Sequence, residues 1–311
     1  MNNPQRSSVL CPKCRRLVST DERKCPHCDH LRPGARWKQG PLGQVLYGQG
    51  QLIQWLIYLN VGLYLISLFI HPRGLGVTPS PLTFLAPDSN SLLLLGASGT
   101  IPIDQLGRWW SLLAANYLHG GLLHLFFNMM AVGQVAPLIL RFYGQHRAII
   151  IYTWGGIAGF YISYVAGVPF TIGASAALCA LLGAAIYYGK SRGGIHGQAV
   201  YRQIGGWAIA ILVFGLIVPG INNWGHGGGF AAGIALGRML GYSENRAEKP
   251  VCRFLARTSI FLTLVVLAWA VGSIFYYRFI GSPPFYNRLP MIDLQNCFGL
   301  TIFDSFHIYY L

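Results

Sequence analysis

Long apolar runs without a single charge, separated by short breaks, fill most of the chain between residues 52 and 277. A helix needs about 20 apolar residues, rising about 1.5 Å each, to cross a hydrocarbon core about 30 Å thick. Leu52 to Ile70 supplies one such span, and Trp109 to Leu140, bounded by Arg108 and Arg141, supplies a second with an interfacial lead-in. Ala148 to Gly189 is long enough for two, divided at Gly167-Val168-Pro169, since glycine and proline favour a turn. Gln203 to Gly237 holds two shorter helices divided at Pro219-Gly220-Ile221-Asn222-Asn223, and Thr258 to Tyr277 completes a predicted set of seven. The pattern predicts an all-α polytopic membrane protein.

Composition sharpens this. The 311 residues are 53% hydrophobic and only 10% charged, against about 25% charged in a soluble domain, which excludes an ordinary soluble enzyme. All nine acids (Asp21, Glu22, Asp29, Asp88, Asp104, Glu244, Glu248, Asp293 and Asp304) lie near the N-terminus, in loops or in the tail. A formal charge of +14 would suit nucleic acid. Its Lys and Arg, however, are spread between apolar segments, as in cytoplasmic loops, so no nucleic-acid partner is expected. Arg15, Arg16, Arg23, Lys24, Arg32, Arg36 and Lys38 place the N-terminus in the cytoplasm. The loops carrying Arg141 and Arg147, then Lys190, Arg192 and Arg202, then Arg238 to Arg257, follow it to the same side. No signal-peptide pattern precedes the first span, which is expected to act as an uncleaved insertion signal.

The extramembrane pieces divide unevenly. Cys11-Pro12-Lys13-Cys14 and Cys25-Pro26-His27-Cys28 form two CxxC knuckles, the spacing that gathers four thiolates around a tetrahedral zinc. Two disulfides or a redox pair would share the spacing, but a reducing cytoplasm argues against structural disulfides. His27 and His30 are spare donors. A closed four-thiolate site leaves no open position for catalysis, so the metal is expected to be structural. The predicted boundaries are a ribbon over 1–33, a linker over 34–51, a six-helix membrane domain over 52–242, a cytoplasmic loop with a seventh helix over 243–280, and a tail over 281–311. The outer loop from His71 to Arg108 contains the apolar run Leu92 to Leu95 and is expected to dip into the outer leaflet.

Ionisable or nucleophilic side chains inside spans are costly, so each prompts a functional hypothesis. His119, His124 and Asn128 fall in the second span and its lead-in, Ser175 in Gly173-Ala174-Ser175-Ala176, and His226 in Gly225-His226-Gly227-Gly228-Gly229. A fourth span running inward from about Phe170 puts Ser175 about 7 to 8 Å below the outer surface. A sixth starting at about Asn222 puts His226 level with it, and His124 and Asn128, four apart on one face, join the same layer. Serine needs a base to take its proton, and His226 is the candidate. Glycines at 229, 233, 237 and 241 let a neighbouring backbone approach, and Gly173, Ala177, Ala180 and Ala184 make the fourth span slim. With no acid in the spans, the expected pair is a Ser-His dyad. The Asn128 amide, the His124 ring and the Ser175 backbone N–H are candidate oxyanion donors. No His-Glu-x-x-His sequence or membrane aspartate pair supports metal or aspartyl proteolysis, and no catalytic cofactor is expected.

At these residues the chain resembles the rhomboid family of intramembrane serine proteases. The match covers roughly Trp55 to Tyr242. The family's HxxxN motif stands as His124 to Asn128, with His119 matching a further upstream histidine. Its GxSG motif stands as Gly173 to Ala176, and its [AG]HxxGxxxG motif as Gly225-His226 through Gly229 and Gly233. The resemblance implies a six-helix catalytic core plus one extra C-terminal transmembrane helix, acting on transmembrane proteins within a lipid bilayer; a bacterial plasma membrane is the expected setting. Gly96-Ala97-Ser98-Gly99 also fits GxSG, but lies in the outer loop and is set aside as coincidental. Three positions depart from the pattern. Ala176 replaces a glycine and is expected to crowd the oxyanion, Cys179 replaces an aromatic that stacks on the base, and Trp110-Ser111 replaces a Trp-Arg pair.

The reading is therefore a serine endopeptidase cutting in or beside transmembrane segments. The alternatives are a weak or inactive rhomboid-like protein that binds transmembrane helices, and a small-molecule transporter. Absent inverted repeats and membrane charges argue against the transporter. The sequence names no oligomeric state, and offers no function for the tail or for the scattered Cys252 and Cys297.

Overall fold

The computed structural model describes residues 8–12, 16–28, 30–35, 51–71, 84–218, 220–242 and 249–279. Cys14, the linker from residue 36, the loop at 243–248 and the tail lie outside the described residues. The chain divides into two compact units, Met1–Leu59 and Asn60–Leu311.

The first unit contains a two-stranded antiparallel ribbon. Strand β1 (Ser8–Leu10) pairs with β2 (Leu17–Ser19), Leu10 opposite Leu17. Cys11 leaves β1 and donates its backbone N–H to the Arg16 carbonyl at 2.9 Å. Cys25 repeats that turn, donating to the His30 carbonyl at 2.9 Å. Both cysteines are fully buried and pack with Val18. This is a very small apolar core, as expected where something other than hydrophobic burial must stabilise the unit.

Seven long helices account for the rest. They are α1 (Gln51–Ile70), α4 (Leu122–Tyr143), α5 (Gln145–Val165), α6 (Ser175–Arg192), α7 (Gly194–Ile217), α8 (Asn223–Leu240) and α9 (Pro250–Phe279). Between α1 and α4 lie two short helices, α2 (Ser89–Leu95) and α3 (Ser111–Ala114), a π-helical turn at Ile101–Gln105 and a 3-10 turn at Ala115–Tyr117. The breaks fall where the sequence places them: α5 stops at Val165 before Gly167, and α7 at Ile217 before Pro219.

Five of these helices, α1, α4, α5, α7 and α9, are long and apolar enough to cross a membrane. The protein is an integral membrane protein. The other two, α6 and α8, are 18 residues each, and Gly or Ala fills seven positions of α6 and nine of α8. Small side chains lower hydropathy but allow close packing. Accordingly α6 is the central helix, packed against α4, α5, α7 and α8, and α8 packs closely on both α6 and α5.

The contact between α6 and α8 is close. A Cβ added to Gly229 would collide with the Ala176 carbonyl, one at Gly233 with the Ala180 carbonyl, and one at Gly237 would lie 3.1 Å from the Ala184 Cα. The glycine ridge on α8 is the expected one. Its opposing row on α6 is Ala176, Ala180 and Ala184, which corrects the row that began at Gly173 and Ala177. Gly173 precedes the helix altogether.

Residues 84–108 fold back on the protein. Helix α2 is capped by Asp88, whose side chain accepts from the Asn90 N–H at 2.9 Å, and it buries Leu92, Leu93 and Leu95. The apolar run expected to enter the outer leaflet is therefore core. Helix α9 packs mainly on α5 and also on α2 and α3, with the Trp154 indole donating to Ser259 Oγ at 3.1 Å. Asn60 of α1 is fully buried, where a polar residue within a span is expected to make a helix-helix contact.

Candidate active site

Ser175 opens α6 and His226 lies in the first turn of α8. Residues 170–174 are not helical. Thr171 forms an antiparallel bridge with Ser98, and Gly173 takes φ +126°. The helix expected to begin near Phe170 thus begins at Ser175, placing the hydroxyl at a helix N-terminus. Both side chains are half-buried, and Ser175 Oγ lies 2.8 Å from His226 Nε2. The other ring nitrogen, Nδ1, is buried and has no hydrogen-bond partner among the described residues, in keeping with spans that contain no acid.

His124 stands over the approach to Ser175. Its Nδ1 accepts the Gly120 backbone N–H at 3.3 Å, which leaves the ring proton on Nε2. A Cβ added to Gly173 would come within 2.9 Å of that Nε2 and 3.6 Å of Ser175 Oγ. The space above Gly173 is therefore bordered by the His124 ring on one side and the Ser175 hydroxyl on the other. Asn128 is oriented differently: its amide donates to the His124 carbonyl one turn back at 2.9 Å, so one of its two N–H groups is spent within α4. His119 is fully buried with its ring edge-on to His124, centroids 5.0 Å apart.

The segment set aside as a coincidental GxSG match is part of the scaffold. Ser98 is fully buried and exchanges both backbone hydrogen bonds with Thr171, at 3.0 and 2.7 Å. Thr100 and Ile101 add bonds to the Val168 and Pro169 carbonyls at 2.9 and 3.2 Å. The outer loop thereby holds the extended strand that leads to Ser175. Ser111 Oγ donates to Ser98 Oγ at 3.1 Å, and the buried Arg108 donates to the Leu93 carbonyl at 2.7 Å beneath the Trp110 ring.

One departure from the family pattern has a local explanation. Ala176 is buried in a cluster with Leu112, Ala115 and Phe160, and its methyl faces the space left by Gly159 of α5. It packs into the core. Cys179, one turn along α6, is buried as well.

A separate cluster lies in the ribbon. The sulfurs of Cys11, Cys25 and Cys28 all fall within 4.8 Å of one another. Cys11 and Cys28 sulfurs are 3.7 Å apart. Thiolates about 2.3 Å from a shared tetrahedral ion lie about 3.8 Å from each other, whereas a disulfide needs about 2 Å. The three residues can therefore hold a metal. Cys14, the expected fourth ligand, lies outside the described residues.

Asn222, in the turn before α8, was not among the residues singled out from the sequence. Its side chain accepts the Gly225 N–H at 2.9 Å and caps the helix that carries His226. An asparagine just before a glycine-rich apolar run is a recognisable cap signal.

These features define a polytopic helical membrane protein with a serine and a histidine joined across two closely packed helices. Residues 106–243 match the family model of the Rhomboid domain. The rhomboid protease GluP of Bacillus subtilis is 31% identical over 223 residues, covering 70% of this chain and 40% of GluP. RHOMBOID-like protein 4 of Arabidopsis thaliana is 28% identical over 207 residues, 61% of this chain and 52% of that protein. RHOMBOID-like protein 5 of the same plant is 32% identical over 162 residues, 50% of this chain and 52% of that protein. The chain spans about half the length, or less, of these curated relatives. Residues 106–243 are thus a rhomboid domain.

Proposed function

We propose that the protein is an intramembrane serine endopeptidase that hydrolyses peptide bonds in or beside transmembrane segments of other membrane proteins. The observation that carries this reading is the 2.8 Å contact between Ser175 Oγ and His226 Nε2 across α6 and α8. In the proposed reaction Ser175 Oγ attacks the scissile carbonyl carbon as its proton passes to His226 Nε2. The oxyanion takes hydrogen bonds from His124 Nε2–H and the Ser175 backbone N–H, each such donor contributing about 3 kcal/mol to the rate. His226 then protonates the leaving amine, and next draws a proton from water as that water attacks the acyl-enzyme. A helical substrate must unwind before its carbonyl is exposed, so glycine and other small residues near the cleavage site favour reaction.

The remaining roles follow from position. Asn128 braces the helical turn of His124 with one N–H and offers its second N–H to the oxyanion. The ribbon cysteines, with Cys14 as the fourth ligand, hold a structural zinc. The basic N-terminal segment lies in the cytoplasm, and the turns near Pro169 and Pro219 open the site to the other side, in a bacterial plasma membrane. The second reading is a family member that binds transmembrane helices without cutting them. Cys179, standing where the family carries an aromatic beside the base, is the residue that favours it.

An activity-based fluorophosphonate tests the choice. Labelling of the purified protein that disappears in both Ser175→Ala and His226→Ala supports the peptidase. A folded protein that binds a helix but takes no label supports the binding reading.

A further inference from the structure

We infer that Asn222 is a positioning residue that sets the axial register of α8 against α6, and with it the distance between Ser175 and His226. The inference rests on the proposed dyad.

A primary amide offers one acceptor oxygen and two N–H donors, and Asn222 uses all three on different segments. Its Oδ1 accepts the Gly225 N–H at 2.9 Å at the start of α8. Its Nδ2 donates to Thr171 Oγ1 at 2.8 Å in the extended strand before α6. The same nitrogen donates to Ser163 Oγ at 2.7 Å near the end of α5. The donor directions are consistent, because the Ser163 hydroxyl spends its own proton on the Gly159 carbonyl at 3.0 Å and so accepts from Asn222.

The placement matters because it adds a polar tie near the reacting groups to a contact made of small residues. Gly229, Gly233 and Gly237 face Ala176, Ala180 and Ala184, which sets a short separation between the helices. A slip of one residue moves a helix about 1.5 Å, enough to break a 2.8 Å contact. Thr171 lies four residues before Ser175, and Asn222 four before His226. Thr171 is itself pinned by its backbone pairing with Ser98, and the Asn222 carbonyl accepts the His226 N–H at 3.1 Å. One side chain thus links the two backbones about a turn away from each reacting group.

The discriminating variant is Asn222→Asp, whose carboxylate keeps the cap on Gly225 but cannot donate to either hydroxyl. Thr171→Val removes one acceptor at constant shape, and Thr171→Ser restores it. The full chain in lipid nanodiscs is assayed for fluorophosphonate labelling rate, for kcat and KM on a transmembrane substrate, and for Tm. Asn222→Asp is expected to lower labelling rate and kcat roughly 10- to 100-fold, with KM within about twofold because substrate binding is untouched. Thr171→Val is expected to reproduce part of that loss and Thr171→Ser to restore activity. The double variant Asn222→Asp/Thr171→Val should be no worse than Asn222→Asp alone, since both remove one interaction. Unchanged kcat in Asn222→Asp, or losses that simply add in the double variant, overturns the inference while the dyad stands. A wild type that takes no label, or label that survives Ser175→Ala, overturns the dyad and this inference with it.

Discussion

Gly233 lies so close to the carbonyl oxygen of Ala180 that no side chain fits between them. The same relationship recurs at Gly229 with Ala176 and, less tightly, at Gly237 with Ala184, each pair one turn from the next. Small residues on both helices let the two backbones touch, and this close approach brings a histidine of α8 within reach of the serine that opens α6.

Gly233→Ala is expected to force α6 and α8 apart. Inserting a methyl against fixed backbone costs about 1–3 kcal/mol, and the displacement falls along the direction that separates Ser175 from His226. Thermal unfolding should show the stability loss. Fluorophosphonate labelling should fall further than the unfolded fraction explains.

Gly173→Ala tests the approach to the nucleophile. The position has φ +126° and a Cβ there would press on the His124 ring, so the change combines backbone strain of about 1–3 kcal/mol with displacement of an oxyanion donor. The expected result is near-complete loss of kcat in protein that still binds a helix substrate.

Ser98→Ala separates the two GxSG sequences. Ser98 is fully buried, and its partners are Ser111 and Thr171. Loss of its hydroxyl should cost about 1 kcal/mol, read as a lower Tm, while probe labelling is retained. Ser175→Ala should show the reverse, with Tm kept and labelling lost.

Removal of the ribbon metal should leave hydrolysis intact. Cys11→Ser or Cys25→Ser is expected to abolish stoichiometric zinc, read by elemental analysis, and to expose the ribbon to protease because metal binding supplies much of the folding free energy of such units. Cleavage of a transmembrane substrate by the same protein should persist.

Much of this arrangement was legible in the sequence, for reasons that differ by residue. Charge-free runs and their Gly and Pro breaks predicted seven helices, because lipid leaves few alternatives to a helix; α1 begins one residue from its expected start, whereas α7 and α9 begin nine and eight residues before theirs. Ser175 and His226 stood out as polar groups in apolar surroundings. What stayed hidden depends on tertiary contacts between segments far apart in sequence. The strand at 170–174 reads as apolar helix until Ser98, more than 70 residues earlier, supplies its backbone partners. Leu92 to Leu95 read as lipid-facing because apolar runs do not declare whether protein or lipid covers them. The neighbour of the Ala176 methyl stayed hidden for the same reason, since only the packing of α5 reveals Gly159 beside it. Asn222 carried a cap signal, but nothing local disclosed that its two donors would reach other segments.

The most direct measurement incubates the full-length protein in lipid bilayers with a single-span substrate containing small residues near one membrane face, and identifies products by mass spectrometry. The account expects one cut in or beside the span, lost by at least about a thousandfold in Ser175→Ala and in His226→Ala. It is contradicted if Ser175→Ala yields the same product at the same rate, or if folded wild-type protein binds the span and leaves it whole.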